Sequence, residues 1–280
     1  MLGFVIPFRS KASSKNWKYH SALLIRTIKS ICNQLHDNFK VIVVYSDYPE
    51  GKVTHKNLTY LHFPFPFLYA KDITDYKSFF KEKHNYTEEY AQYEMDQGRR
   101  ILYGCQCAIN QGCSYIMSVD ADDLVSNKLT CFVNKNPVST SPGWYANTGY
   151  IFLETHNIIY RYPKNLNEFC GSTNIVRSDL IPIPDFSSYN LLDFNFFSSH
   201  SYLKRRLIQF NNEILQPLPF RSVTYVINAG SWSDYENSYR GKGLKKWAKQ
   251  LLYGVFYASK MKKEFNLTKI DSALWLPAKS

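Results

Sequence analysis

Tyr115-Ile116-Met117-Ser118-Val119-Asp120-Ala121-Asp122-Asp123-Leu124 carries an apolar strand directly into three carboxylates within four positions. In an extended backbone, residues two apart point to the same side. Asp120 and Asp122 can therefore face one ligand, and the small Ala121 leaves room for it to approach. Hard oxygen ligands of this kind suit Mg²⁺ or Mn²⁺, which are commonly held by one or two carboxylates plus substrate phosphates. A solvated acidic loop, or a helix start stabilised by Asp, would use the same letters. The surrounding chain decides between these readings.

Directly upstream, Glu88 to Asn110 reads as a helix carrying Arg99 and Arg100 and closed by Gln111-Gly112. Nearer the start, Leu2 to Phe8 is a short apolar strand, interrupted by Pro7 and followed by Arg9-Ser10-Lys11. Between Tyr19 and Leu35, apolar residues at Ala22, Leu23, Ile25, Ile28, Ile31 and Leu35 keep close to helical period. Phe39 to Tyr45 is a dense β-branched run that stops at Ser46-Asp47. Strand, helix, strand in that order implies a parallel pair with a right-handed crossover. A weaker strand at Leu58 to Phe63 meets Pro64 and Pro66, which lack the donor a central ladder needs. Tyr69 to Tyr93 reads as a polar, mobile insertion. Downstream, Leu129 to Asn134 reads as a helix and Trp144 to Leu153 with Ile158 to Tyr162 as a β-hairpin. Tyr189 to Phe210 reads as one aromatic helix containing His200, and Phe220 to Ile227 as a last strand. In open α/β sheets ligands gather outside the carboxyl ends of the strands. Pro7 to Arg9, Asp47 and Asp120 to Asp123 all lie at such ends and point to one crevice.

At 280 residues, with no linker or repeat to split it, the chain is most simply one compact α/β domain with C-terminal additions. An aromatic share of 16%, mostly Tyr and Phe, is compatible with sugar or base stacking as well as with core. Cys32, Cys105, Cys107, Cys113, Cys131 and Cys170 match no zinc spacing and read as reduced core thiols. The first strand begins at Leu2, leaving no room for a signal peptide, and no apolar run approaches the roughly 20 residues that span a bilayer. The expectation is a cytoplasmic protein. Its net charge of +11 favours polyanionic partners. No nucleic-acid-binding motif is present, so nucleic acid is not expected among them.

In order and spacing, Val5-Ile6-Pro7-Phe8-Arg9, Val41-Ile42-Val43-Val44-Tyr45-Ser46-Asp47 and Ser118-Val119-Asp120-Ala121-Asp122-Asp123 make the chain resemble a GT-A type nucleotide-sugar glycosyltransferase of the family 2-like group, over Leu2 to Ile227. The resemblance implies an α/β fold of GT-A (Rossmann-like) type, a mixed central sheet flanked by helices. It makes 1–235 the transferase domain, with 1–125 the nucleotide-binding half and 126–235 the acceptor-binding half. Residues 236–280 form a basic amphipathic C-terminal extension. By position, Pro7, Phe8 and Arg9 would meet the nucleotide and Asp47 its base. Asp120 and Ala121 would approach the ribose, and Asp120 with Asp122 would hold Mn²⁺ or Mg²⁺.

Arg99 or Arg100 could contact the diphosphate or base, since Arg forks match phosphate geometry. A solvated helix face is the plainer account of both. His200 resembles the downstream His that completes such a metal site, although a lone His is more often structural. Gly171-Ser172-Thr173-Asn174 resembles the loop that meets donor sugar and acceptor, where Gly171 permits close backbone approach. An inverting enzyme needs a carboxylate base. No Glu-Asp pair follows Gly171, which leaves Asp193, Asp185 and Glu168 as candidates and inversion against retention open.

The expected activity is metal-dependent transfer of a sugar, hexosyltransferase type, as in cell-surface polysaccharide biosynthesis. The donor would be a nucleoside-diphosphate sugar, most often UDP-linked, and the acceptor a hydroxyl of a glycan or lipid-linked glycan. From Gly241 to Phe265, Leu244, Trp247, Leu251, Leu252, Val255, Phe256 and Ser259 follow helical spacing among Lys245, Lys246, Lys249, Lys260, Lys262 and Lys263. Such a helix could lie peripherally on an anionic inner membrane face, or pack on the domain with its lysines outward. Other classes fit less well. A HAD-like phosphatase carries its Asp-x-Asp at the first strand, and a nucleotidyltransferase needs a Gly-rich loop there that is missing. A catalytically degenerate nucleotide binder, or a basic polyanion or membrane binder, is the non-enzyme alternative.

Overall fold

A computed structural model describes residues 1–75, 87–136, 141–198, 200–228, 254–255 and 259–274. The strands are β1 (Leu2–Pro7), β2 (Phe39–Tyr45), β3 (Leu58–His62), β4 (Tyr115–Ser118), β5 (Leu124–Val125), β6 (Gly143–Tyr145), β7 (Gly149–Leu153), β8 (Ile158–Tyr162), β9 (Asn174–Arg177), β10 (Gln216–Pro217), β11 (Val223–Ile227) and β12 (Gly254–Val255). The helices are α1 (Trp17–Ile31), α2 (Glu88–Asn110), α3 (Leu129–Lys135), α4 (Leu191–Ser198), α5 (His200–Asn211) and α6 (Ser259–Phe265).

One seven-stranded sheet runs β10-β6-β9-β4-β1-β2-β3. Its β4-β1-β2-β3 part is wholly parallel, and β9 alone runs antiparallel to both its neighbours. The sheet is mixed but mostly parallel, as the strand-helix-strand order requires. Side chains alternate faces along a strand. Leu2, Phe4 and Ile6 of β1 join Leu24, Ile28 and Ile31 of α1 in one core, whereas Val5, Ile42 and Val44 join Met95, Ile101, Leu102 and Cys105 of α2 in the other. With both faces covered, β1 and β2 must be apolar along nearly their whole length, Lys40 near the start of β2 excepted, which explains their hydrophobic runs.

A second sheet runs β12-β8-β7-β11-β5. It begins at β5, directly after the acidic triplet, where Leu124 and Val125 pair antiparallel with β11. The hairpin expected from Trp144 is therefore shorter than its sequence pattern suggests. Only β7 and β8 pair as a hairpin, closed through Asn157 at φ 52, a conformation Asn tolerates. Trp144 belongs to the first sheet instead, because its ring packs on Tyr115 and Phe132 in the first core. The stretch from Tyr189 is helical over α4 and α5, and residue 199 lies outside the described residues.

The expected amphipathic helix from Gly241 to Phe265 also needs correction. Gly254 and Val255 are extended and pair with Tyr160 and Ile159, so the stretch is not one continuous helix, and α6 covers Ser259–Phe265. Met261, Phe265 and Leu267 are buried on the second sheet with Phe152 and Val226, and Lys262 and Lys263 face outward. Glu264 fixes α6 to the domain through Lys128 at 2.9 Å and Ser126 Oγ at 2.6 Å. Over Ser259–Phe265 the apolar side is turned to the domain; 241–253 and 256–258 of the expected helix lie outside the described residues. Leu244, Trp247, Leu251, Leu252 and Phe256 lie outside the described residues, as do 76–86 of the expected mobile insertion. No helix among the described residues is long and apolar enough to cross a membrane.

Helix α2 crosses α4 at Gly98, where a Cβ would overlap the backbone carbonyl oxygen of Phe194. Alanine normally stabilises a helix interior relative to glycine by about 0.5–1 kcal/mol. Here the overlapped atom is backbone and cannot swing away. Gly98→Ala is expected to destabilise by about 1–3 kcal/mol, read as a lower thermal midpoint, and an unchanged or higher midpoint would contradict this packing.

Candidate functional site

The carboxyl ends of β1 and β4 open into a cavity of about 540 Å³. Its floor is the acidic turn. Asp120, Ala121 and Asp122 line it, and the two carboxylates are partly accessible. Gln97 Nε2 of α2 donates to Asp120 Oδ1 at 3.2 Å, and Asn228 Nδ2, just past β11, donates to Asp122 Oδ2 at 2.7 Å. Each floor carboxylate is therefore oriented by an amide from a different wall. Asp123 points the other way and is fully buried. Its Oδ2 accepts from Ser172 Oγ at 2.6 Å and Cys170 Sγ at 3.2 Å, and its Oδ1 accepts from Val226 N at 3.0 Å. Ser172 Oγ in turn accepts from the Asp120 backbone N–H at 2.8 Å.

Gly171 lies so close to the floor that a Cβ there would stand 2.7 Å from Asp120 Oδ2. The glycine thus lets the loop backbone pack against the Asp120 carboxylate. Phe169, on the same loop, lines the cavity at 42% exposure.

Burial raises the proton affinity of the whole triplet. Asp120 is pushed up to about 7 by desolvation and then by the charge of Asp122. Asp122 is raised by desolvation, opposed by Asn228 and by the charges of Arg9 and Arg26. Asp123 is raised well above the ordinary range by desolvation and by both neighbouring carboxylates. On the rim, desolvation and the charge of Arg9 lower His20 to about 4, so it is neutral near pH 7.

Pro7, Phe8 and Arg9 line the cavity. Phe8 is buried against Trp17, with ring centroids 4.9 Å apart, while Arg9 is half-buried. Asp47 is not in the cavity wall. Its Oδ2 accepts from the Lys11 backbone N–H at 2.7 Å and so holds the loop after β1. The two arginines of α2 diverge. Arg99 is buried on the core side, donating to Pro66 O at 2.9 Å and Phe186 O at 3.1 Å beside the Phe65 ring. It supports the chain after β3 and does not reach the cavity. Arg100 lines the cavity, gripped by Asp96 at 2.8 and 3.1 Å and by Ser46 Oγ at 2.9 Å. Its Nη1 is buried and has no hydrogen-bond partner.

None of the three carboxylates considered as a base lines the cavity. Asp185 is exposed and takes Ser187 N at 2.9 Å and Ser187 Oγ at 2.7 Å, a closed local turn. Asp193 is exposed in the first turn of α4 and accepts from Ser188 Oγ. Glu168 is exposed one residue before Phe169. The side chain of His200 lies outside the described residues.

The carboxylates that do line the cavity, besides Asp120 and Asp122, are Glu94 and Asp96, which sequence reasoning passed over together with Gln97 and Asn228. One signal was present for Glu94. Ala91, Glu94, Gly98, Ile101 and Cys105 form the buried stripe of α2, so a carboxylate stands where helical period calls for an apolar residue.

No family model matches the chain, and no curated protein does. Among solved structures, the chain is similar to S. aureus TarS residues 1–349, at TM-score 0.42 and 11% identity, over 94% of this chain and 68% of that one. The same protein in complex with UDP-GlcNAc gives TM-score 0.39 and 12% identity, over 94% and 69%. An active-site mutant of LgtC gives TM-score 0.30 and 11% identity, over 89% and 81%. All three likenesses are remote.

Two outcomes are expected at the floor. Between the ordinary carboxylate range and about pH 7, the folded chain holds a proton on Asp120 that the unfolded chain has released. This contribution therefore loses stability as pH rises through that window. A divalent ion replacing the proton cancels the loss, so Mn²⁺ should raise the thermal midpoint more at about pH 7.5 than at about pH 5. An equal shift at both would detach the ion from these carboxylates. Asp123→Ala leaves the Val226 N–H and Ser172 O–H buried without their acceptor and should cost about 2–5 kcal/mol in denaturant unfolding. A cost under about 1 kcal/mol would remove Asp123 from its tying role.

Proposed function

We propose that the chain is a GT-A-type glycosyltransferase that moves a sugar from a nucleoside-diphosphate sugar to a hydroxyl of a glycan or lipid-linked glycan, with Mn²⁺ or Mg²⁺. One observation carries the reading. Two half-buried carboxylates, each oriented by an amide, face a cavity whose wall also carries Arg100, held by Asp96 and Ser46. A carboxylate floor beside a fixed guanidinium suits a ligand that is itself an anion bound to a cation.

The donor set fits a divalent ion shared with substrate. Among the described residues no group of three or more His, Cys, Asp or Glu is gathered to hold a metal unaided. Asp122 and Asp120 would hold it, with diphosphate oxygens and water completing the shell, as is common for Mg²⁺-like ions. Bound there, the ion would offset the negative charge that develops on the departing diphosphate.

The rest is done by the chain. Gln97 and Asn228 keep the two carboxylates turned to the cavity. Asp96 and Ser46 hold the Arg100 fork, so its charge is fixed at the cavity wall before the ligand arrives. Arg9 adds positive charge at the end of β1. Asp47 holds the loop after β1 through the Lys11 N–H, and the resemblance sets it at the nucleotide base.

The test is a panel of UDP-, GDP- and other nucleoside-diphosphate sugars, with and without Mn²⁺, scored for release of free nucleoside diphosphate. Wild type should release it from one donor only with metal, and Asp122→Asn should lower the rate by about a hundredfold or more. Absence of both release and nucleotide binding would overturn the reading in favour of a polyanion or membrane binder.

A further inference from the structure

Glu94 is 4% exposed, lines the same cavity, and its Oε2 has no hydrogen-bond partner. Burying a carboxylate without a donor is costly. The protein tolerates that cost at one place on α2, on the wall above the acidic floor.

Its position on the helix suggests what the missing donor is. Three residues of α-helix advance about 4.5 Å along the axis. Gln97, one such step beyond Glu94, holds Asp120, and Arg100, one step further, lines the same cavity. The cavity wall thus reads in order as an unpartnered acid, the support of the floor carboxylate, and a guanidinium. The proposed donor substrate has the matching order of sugar hydroxyls, the phosphate that shares the cation with the floor, and the nucleoside-side phosphate. With Arg100 at the nucleoside-side phosphate, Glu94 stands where the sugar ring lies. Tyr90 and Tyr93 of the same helix also line this stretch, and aromatic rings offer the apolar faces of a sugar a flat surface.

Resting on the transferase reading, we infer that Glu94 heads the donor-sugar subsite, accepting hydrogen bonds from ring hydroxyls and so selecting a sugar with hydroxyls placed to reach it. No metal contact and no proton transfer is required of it. The role is recognition, and it gives a partner to the buried carboxylate oxygen that α2 leaves open.

Calorimetric titration separates this subsite from the nucleotide site. Wild type, Glu94→Gln and Glu94→Ala would each be titrated, in the presence of Mn²⁺, with the nucleoside diphosphate and with the sugar nucleotide that the donor panel selects. Both variants should bind the nucleoside diphosphate within about twofold of wild type, which also reports an intact fold. Glu94→Ala should lose about ten- to hundredfold in affinity for the sugar nucleotide, since hydrogen bonds to a charged acceptor are among the stronger ones. Glu94→Gln, which keeps one acceptor oxygen, should lose less. Unchanged affinity for both ligands in both variants would overturn the inference, as would equal loss of both ligands, which would make Glu94 a general support of the cavity. Failure of wild type to bind any nucleoside diphosphate would instead bring down the transferase reading itself.

Discussion

Asp123 has no contact with solvent, yet three donors from two segments distant in sequence meet its two oxygens: Ser172 and Cys170 from the loop after β8, and Val226 from β11. A carboxylate buried this deeply is acceptable only because its lone pairs are met by donors. The Cys170 thiol, itself pushed well up by burial and by the charge of Asp123, stays protonated and able to donate. Ser172 passes the constraint on, because the hydroxyl that donates to Asp123 accepts from the Asp120 N–H. Asp120 is therefore set by Asp123 through a single side chain, and Gly171 between the two donors brings backbone against the Asp120 carboxylate. Once Val226 is tied to the turn, Asn228 two residues on falls beside Asp122. The floor of the cavity is a consequence of one buried acid that never faces it.

The two sheets meet at this point for the same reason. β4 ends the parallel part of the first sheet at Ser118, and β5 starts the second only six residues later. The acidic turn is what the chain does between them. Parallel strands β1, β2 and β4 bring their carboxyl ends to one edge, and β11 brings its own end to that edge from the other sheet. A buried ion pair between Arg26 of α1 and Glu154 after β7, joined by the Tyr19 hydroxyl at 2.9 Å, braces the first layer against the second. Arg26 also lies near enough to Asp122 to moderate its proton affinity. A structural brace thus contributes to the electrostatics of the cavity floor.

The parts of this arrangement legible in sequence are those that repeat. β1, β2 and β4 are continuous apolar runs because both faces are covered, and α2 is a periodic stripe with a glycine stop. The acidic triplet is visible because three carboxylates at a strand end have few other uses. What could not be read depends on single contacts. Arg99 and Arg100 are neighbours on a helix, about 100° apart around it, and nothing in the letters says that the first turns to Pro66 and Phe186 while the second turns to Ser46. Asp185 and Asp193 attract attention as acids near His200, but each is engaged by a serine within five residues, the local bonding that short polar side chains favour in turns. Trp144 looked like part of a hairpin because alternation cannot say which sheet a short strand joins. Glu94, Gln97 and Asn228 belong to no motif, and their importance lies in burial and aim.

Charge gives the cavity its selectivity under the proposed reading. The chain as a whole carries +11, which draws polyanions of every kind. At the cavity floor the sign reverses, since Asp120 and Asp122 stand together there with raised proton affinity. A bare diphosphate would meet repulsion from that floor, and a bare divalent ion would meet only two carboxylates and the positive potential of Arg9. Each ligand supplies what the other lacks, because the ion neutralises the floor and the diphosphate completes the ion's shell while reaching Arg100. Each should bind more weakly alone than with the other, and by linkage each should tighten the other by the same factor. That mutual requirement turns a generally basic surface into a site for one composite ligand, and it leaves Glu94, outside the charged pair, to read the uncharged remainder.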